Sequence, residues 1–356
     1  MTKILALYLP QFHETPENNK WWGQGFTEWT NTRKALPLFG KHYQPRTPLN
    51  NNYYDLADPA TMQAHARMAK DHGIHGFCFY HYWFNGKQML QKPVEDLLQR
   101  KDIDMPFCLS WANDSWNRAW DGEDREILIQ QEYGEEASWQ NHLNYLVPFF
   151  KDDRYIKIDN KPVFFIYRTI GFSRMNELIK YWNNKLQQLG FAGIHIVETL
   201  NTFQNEAFCE DSSAVFTFEP MMTLRKKISF KNKLKGELKN RLKLNFLFTD
   251  DYDRVWKEVI ESANTIKGNG KKVYRGAFVD WDNTPRKGKR GLVIIGASPG
   301  KFGKYLQQLV TISNNNNDDF LLINAWNEWA EGCYLEPDEK FKYGYLEQIR
   351  KITSGK

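Results

Sequence analysis

The segment Phe320-Leu-Leu-Ile-Asn-Ala-Trp-Asn-Glu-Trp-Ala-Glu-Gly332 joins an apolar run to a cluster of indoles, amides and carboxylates. An apolar run of that kind suits a strand covered on both faces, and the abrupt change at its end suits a strand that delivers polar side chains to a rim. Seven similar runs precede it: Ile4 to Leu9, Gly76 to Tyr82, Pro106 to Trp111, Val163 to Tyr167, Ile194 to Glu198, Ala214 to Phe218 and Val273 to Phe278. Between them lie helical patterns over Pro59 to His72, Lys92 to Arg100, Ser138 to Phe150, Ser173 to Leu189, Tyr252 to Lys267 and Gly303 to Ser313, several opened by a capping residue or a proline. Eight such strands with helices between them, in 356 residues, predict an α/β chain folded as a single TIM-type (β/α)8 barrel over residues 1–356. The long segments Pro10 to Pro59, Ala112 to Gly134 and Glu219 to Asp251 then fall at the C-terminal face of the strands, where such barrels place their active sites.

A doubly wound open sheet would need a glycine-rich phosphate turn after an early strand. Gly23-Gln-Gly25 lacks the third glycine, and Gly296 to Lys301 is one residue short of a phosphate loop and lacks the following Ser or Thr. Neither suits a nucleotide, and no cofactor is expected. His13, His75 and His81 show no H-E-x-x-H or two-His-one-carboxylate spacing, so no metal site is expected either.

Composition narrows the class of ligand. With 41% apolar and 15% aromatic residues the chain has ample material for a core, which excludes a disordered or fibrous protein. Thirteen Trp and 17 Tyr supply flat rings with polar edges, the surface that sugars fit. Cys78, Cys108, Cys209 and Cys333 are scattered without a C-x-x-C pair, which speaks against a disulfide framework and for a reducing, cytoplasmic setting. The opening MTKILALYLPQFH is too short for a secretory h-region, and no stretch approaches the ~18–20 apolar residues of a membrane span.

The net charge of +5 is unevenly placed. From Arg225 to Lys243 nine Lys or Arg face one acid, Glu237, so this stretch carries +8 and the rest sums to −3. That pattern excludes a globally basic nucleic-acid binder and marks a basic helical insertion at about 225–250. It reads as a solvated helix, or as an arm that docks on anionic lipid head groups or a phosphate-bearing, lipid-linked glycan.

Polar and aromatic residues concentrate after the strands. They are Tyr8, Gln11 and His13 at strand one; Tyr80, His81, Tyr82 and Trp83 at strand two; and Trp111, Asn113, Asp114, Trp116, Arg118, Trp120 and Asp121 at strand three. Later strands add Glu198, Glu219, Asp280, Trp281, Asp282, Trp326 and Asn327, and the loop after strand one adds Trp21, Trp22, Glu28 and Trp29. Rings stack on the apolar faces of pyranoses while carboxylates and amides bind hydroxyls, so the expected partner is an oligosaccharide or polysaccharide. Glu328 and Glu331 stand three residues apart, and one helical turn would bring their Cβ atoms to ~5–6 Å. Glycoside cleavage needs such a pair, one carboxyl to protonate the leaving oxygen and one, ionised, to assist attack at the anomeric centre. Trp326 and Trp329 beside them would separate the two pKa values.

Trp326-Asn-Glu-Trp-Ala-Glu-Gly332, followed by Leu335-Glu-Pro337, resembles the signature of glycoside hydrolase family 99, the endo-α-mannosidase and endo-mannanase family, and of its WbsX-like relatives in bacterial lipopolysaccharide and capsule gene clusters. Tyr8-Leu-Pro-Gln-Phe-His13, Trp21 to Trp29, Gly76 to Trp83 and Trp111 to Gly122 resemble the WbsX-like branch more closely, so the likeness covers nearly the whole chain. It implies a (β/α)8 barrel and, in the hydrolases, retention without a glycosyl-enzyme. By that resemblance Glu328 would deprotonate the sugar's own 2-hydroxyl, which attacks C1 to give a 1,2-anhydro sugar, and Glu331 would protonate the leaving oxygen and later activate water. Ala330 stands where the characterised hydrolases have His, and Asp114 follows Asn113 where WbsX-like proteins often have Glu. The branch also carries a glycosyltransferase label. Three functions are therefore weighed: a retaining hydrolase or transglycosylase on an α-linked mannoside- or glucoside-like glycan of a cell-surface polysaccharide, a glycosyltransferase of O-antigen or capsule biosynthesis, and a non-catalytic glycan-binding barrel.

Overall fold

The computed structural model describes residues 1–118, 126–229 and 246–355, together with 232, 233, 235, 236 and 238. Eight parallel strands form its centre: β1 (Lys3–Tyr8), β2 (Gly76–Phe84), β3 (Phe107–Trp111), β4 (Lys161–Ile166), β5 (His195–Leu200), β6 (Ala214–Thr217), β7 (Lys272–Phe278) and β8 (Phe320–Asn324). Each pairs with the next, and β1 pairs with both β8, in the register Lys3↔Phe320, and β2, in the register Leu5↔Gly76. The sheet is thus closed, which leaves no open edge in the barrel.

Strands β3, β5, β6 and β8 are buried at every residue, the mark of a sheet covered by helices outside and packed side chains inside. Around it run α1 (Pro59–Asp71), α2 (Lys92–Gln99), α3 (Glu136–Lys151), α4 (Met175–Gln188), α5 (Tyr252–Thr265), α6 (Pro299–Asn315) and α7 (Gly344–Ser354). Indoles lock several helices to the sheet. Trp182 of α4 lies 5.7 Å from Phe164 of β4, and Trp256 of α5 stacks between Phe278 of β7 and Tyr305 of α6 at 4.9 and 5.6 Å.

The Gly296 to Lys301 stretch is a helix start. Ser298 accepts from the Lys301 amide and Pro299 opens α6, so its glycines serve a cap. The C-terminal helix α7, which the sequence pattern left unmarked, packs against α6 through Tyr345 and Phe302. Of the basic stretch, residues 230, 231, 234, 237 and 239–245 lie outside the described residues, as do Trp120 and Asp121. The described part includes a short helix, Met221–Lys226, and a strand, Phe248–Asp251, that pairs in parallel with Leu292–Ile295.

Candidate active site

Beyond β8 the chain turns back on itself within a few residues. Asn327–Glu328 pairs antiparallel with Cys333–Tyr334, and the single 3-10 turn Trp329–Glu331 lies between them. The turn closes at Gly332, whose φ is +62 and where an added Cβ would lie 2.9 Å from both the Arg46 guanidinium and Asp282. Left-handed backbone and lack of space both require glycine there. Asn327 ties the turn to β1, donating to Leu9 O at 2.9 Å and accepting from the Leu9 amide at 2.8 Å. Trp329 donates its indole N–H to Glu336 Oε2 at 2.5 Å, and Tyr54 donates to the same oxygen at 3.0 Å.

This turn presents Glu328 and Glu331 to one guanidinium. Arg286 donates from Nη2 to Glu328 at 3.2 Å, from Nη1 to Glu331 at 2.7 Å and from Nε to Glu28 at 2.9 Å. Its side chain is 3% exposed, against 1% for Glu28, 8% for Glu328 and 20% for Glu331, so Glu331 is the carboxylate most open to a ligand. Arg286 is itself held by the loop after β7. Asp282 accepts from the Thr284 amide and hydroxyl, which sets the turn carrying Arg286, and accepts from His42 Nε2 at 2.8 Å and Gln44 at 2.7 Å. The Leu38 amide donates to His42 Nδ1, so the imidazole proton sits on Nε2, facing Asp282.

Electrostatics follow from this geometry. Burial, then the charge of Glu331, pushes the Glu328 carboxyl up to about 8; Glu28 adds to the effect and Arg286 opposes it. The phenols of Tyr80, Tyr82 and Tyr167 are raised by burial and then by the carboxylates, chiefly Glu328 for the first two and Glu331 for the third. These three tyrosines therefore border the pair.

Strand alternation sorts the residues of strand two. Tyr80 and Tyr82 are on the side of the carboxylates, whereas His81 bonds His142 of α3 at 2.8 Å and Trp83 stacks on the same ring at 4.5 Å. Trp111, 1% exposed, joins that outer layer by donating to Trp83 O. Trp326 and Trp329 are fully buried, and Trp29, 4% exposed, donates to Tyr54 O, so in this structure their rings anchor the rim. Trp281 is buried as well. Tyr8 bonds His65 Nδ1 of α1 at 2.9 Å and packs on Phe77 and Phe79, in the layer between sheet and helices and away from the carboxylates. Gln11 and His13 are buried, each with one polar side-chain atom left without a partner.

Other residues secure the loops. Asn113 bonds Tyr133 and both accepts from and donates to the Arg168 backbone, while Asp114 pairs with Arg168 Nη1 at 3.0 Å. Both oxygens of Glu219 accept from Thr223, and burial pushes this carboxyl up to about 7. Glu198 accepts from Thr169, Gln204, Ser212 and the Phe208 and Cys209 amides, a staple for the loop after β5. Half-exposed rings remain at the outer rim, where Trp116 meets Trp21 at 5.8 Å and Tyr82 at 5.1 Å. Arg118 lies over Trp22 and pairs with Glu126 at 2.7 Å.

The structure thus gathers Glu28, Tyr80, Tyr82, Glu328 and Glu331 from the sequence-derived set and adds Arg286 and Tyr167. Arg286 is masked in the sequence by the run Arg286-Lys-Gly-Lys-Arg290, which reads as solvated charge. Its signal is the capping pattern Asp282-Asn-Thr-Pro before it, which starts a helical turn directly after a barrel strand.

A model of the family described as Glycosyltransferase WbsX matches residues 4–349. Two curated relatives from strains of Xanthomonas campestris pv. campestris, each described as "Uncharacterized protein WxcX", are 32% identical over 99% of this chain, which spans 49% of their length. Among solved structures, a "Glycoside hydrolase-like protein" superposes with a TM-score of 0.63 at 12% identity, over 99% of this chain and 94% of its own. A GH99 endo-alpha-mannosidase from Bacteroides thetaiotaomicron superposes with a TM-score of 0.55 at 13% identity, over 99% and 96%. At such identities the likeness is one of fold. No helix among the described residues is long and apolar enough to cross a membrane.

Proposed function

We propose, from the premise that this chain belongs to the WbsX glycosyltransferase family, that it is a carbohydrate-active enzyme that cleaves or transfers an α-linked glycan with retention, using Glu328 and Glu331. The observation that carries this reading is the single Arg286 guanidinium shared by Glu28, Glu328 and Glu331 at the C-terminal rim. Arg286 holds the two candidate catalytic carboxylates in one fixed relation, and burial beside Glu331 favours the protonated form of Glu328. A retained proton and an ionised neighbour are the two states that acid–base cleavage needs.

The proposed sequence balances as follows. In the reactive state the proton that rests on Glu328 has passed to Glu331; ionised Glu328 then takes the proton of the sugar 2-hydroxyl, O2 bonds to C1, and the C1–O bond to the leaving group breaks as Glu331 gives its proton to that oxygen. Water, deprotonated by Glu331, then opens the 1,2-anhydro sugar at C1, and O2 recovers its proton from Glu328. An acceptor hydroxyl in place of water gives transfer. The greater exposure of Glu331 suits contact with the departing and arriving oxygens, and a carboxyl raised by burial is, once ionised, a stronger base toward a hydroxyl.

The test is turnover of α-mannoside and α-glucoside oligosaccharides and of a native surface polysaccharide, with anomeric configuration followed by proton NMR. The expected result is a retained product that disappears in Glu331→Gln and in Glu328→Gln while oligosaccharide binding persists. Turnover only with an activated sugar donor would favour transferase chemistry. Glycan binding without turnover under either condition would leave a binding barrel.

A further inference from the structure

The basic stretch after β6 is not the sole source of positive charge on its side of the molecule. Parallel pairing of Phe248–Asp251 with Leu292–Ile295, in the register Phe248↔Leu292, brings the loop after β7 alongside the loop after β6. The Phe248 amide donates to Gly291 O at 3.0 Å, immediately after Lys287, Lys289 and Arg290. These three cations are exposed, as are Arg225, Lys226 and Lys233 on the other side of the pairing, and none of the six forms an ion pair among the described residues. Two basic runs about fifty residues apart in sequence thus share one face.

Between them lies an apolar cavity of about 510 Å³, lined by Leu224, Ile228, Phe248 and Leu292 among others. Ile228, in this lining, is 47% exposed. Cations flanking exposed aliphatic side chains match the chemistry of a lipid interface, where head-group phosphates meet the charges and methylenes meet the apolar surface. A soluble polyanion would use the charges and leave the aliphatic residues in water. The face belongs to the same barrel end as Glu328 and Glu331, and Arg286, which holds those carboxylates, immediately precedes Lys287.

We infer that this face docks on a bilayer surface rich in anionic phospholipid, with the cavity around Ile228 receiving acyl methylenes. Docking there would set the active-site rim at the membrane surface. This inference does not rest on the proposed chemistry, because binding is read without turnover.

The experiment is co-sedimentation of the full chain with vesicles of phosphatidylcholine alone or mixed with phosphatidylglycerol. Binding is expected to the mixed vesicles only, and to weaken as salt is added. Each lost basic contact is expected to lower the partition coefficient about fivefold, so K287E/K289E/R290E lowers it about a hundredfold or more. R225E/K226E, on the opposite side of the cavity, is expected to weaken binding in the same sense, and circular dichroism checks that both variants are folded. Ile228→Asn tests the apolar part and is expected to weaken binding without changing its salt dependence. The inference is overturned by equal partition to neutral vesicles, by no partition to either, or by charge-reversed variants that bind as wild type. It is also overturned if an anionic polysaccharide binds as tightly as the mixed vesicles and Ile228→Asn changes neither.

Discussion

Arg286 brings one positive charge to three carboxylates, and its guanidinium is 3% exposed. Breaking a buried ion pair from one side leaves uncompensated charge, so Arg286→Met is expected to cost about 3–5 kcal/mol, read as a lower urea midpoint with an unchanged slope. The loss should grow with pH, because the acids left behind are then more fully ionised. Arg286→Lys keeps the charge but not the fork, and one ammonium cannot meet Glu28, Glu328 and Glu331 along three separate directions, so it should recover only part of the stability. A second expectation concerns the proton. The Glu331 charge helps raise the Glu328 carboxyl to about 8, so Glu331→Gln should bring Glu328 down, measured by carbon NMR titration of labelled glutamate. An unmoved Glu328 would mean that burial alone sets its affinity for the proton.

At the scale of elements, what positions the carboxylates is the junction of β1, β7 and β8. Asn327 bonds the end of β1, Asp282 after β7 donates its amide to Glu331 O at 2.7 Å, and Gly332 leaves room for Arg46. The neighbouring strands are equally close. An added Cβ on Gly276 of β7 would collide with the carbonyl oxygen of Thr217 in β6, and the Gly276 amide donates to the Thr217 hydroxyl oxygen at 2.8 Å. Gly276→Ala is therefore expected to destabilise by about 1–3 kcal/mol, since a packed barrel wall has no slack to absorb a methyl group. Denaturant unfolding checks this, and a midpoint equal to wild type would show that β6 and β7 separate freely there.

Across the whole molecule, burial sets the pH dependence of stability through two opposed groups. His13, His65, His75, His81, His142 and His195 are lowered by burial, so below about 6.5 the unfolded chain binds more protons and stability rises with pH. Glu219, Glu328 and Glu336 are raised by burial to about 7, 8 and 8, so from about 4.3 upward the native state binds more protons and stability falls with pH. Six histidines outweigh three glutamates on the acid side, and above about 6.5 the glutamates continue to act after the histidines have ceased to. A melting-temperature maximum near pH 6.5 with a decline toward pH 8 is expected, and a rise across that interval would contradict the assigned burial of the acids.

The sequence by itself determined the eight strands and hence the barrel class, because apolar runs of the right length and period carry that information locally, as Phe320–Asn324 shows. It also singled out Glu328 and Glu331, whose spacing and indole neighbours stand within one short segment. Which rim residues converge was decided by tertiary structure. Strand alternation turned Tyr80 and Tyr82 toward the carboxylates and His81 and Trp83 toward α3, and both pairs read alike in a list of aromatic residues. Arg286 reached the site from 42 residues away, out of a run of cations that reads as surface. Two basic runs became one face through a parallel strand pair that neither run encodes alone. A local pattern records which face of an element is apolar, whereas contacts between distant side chains depend on closure of the barrel, which only the folded chain completes.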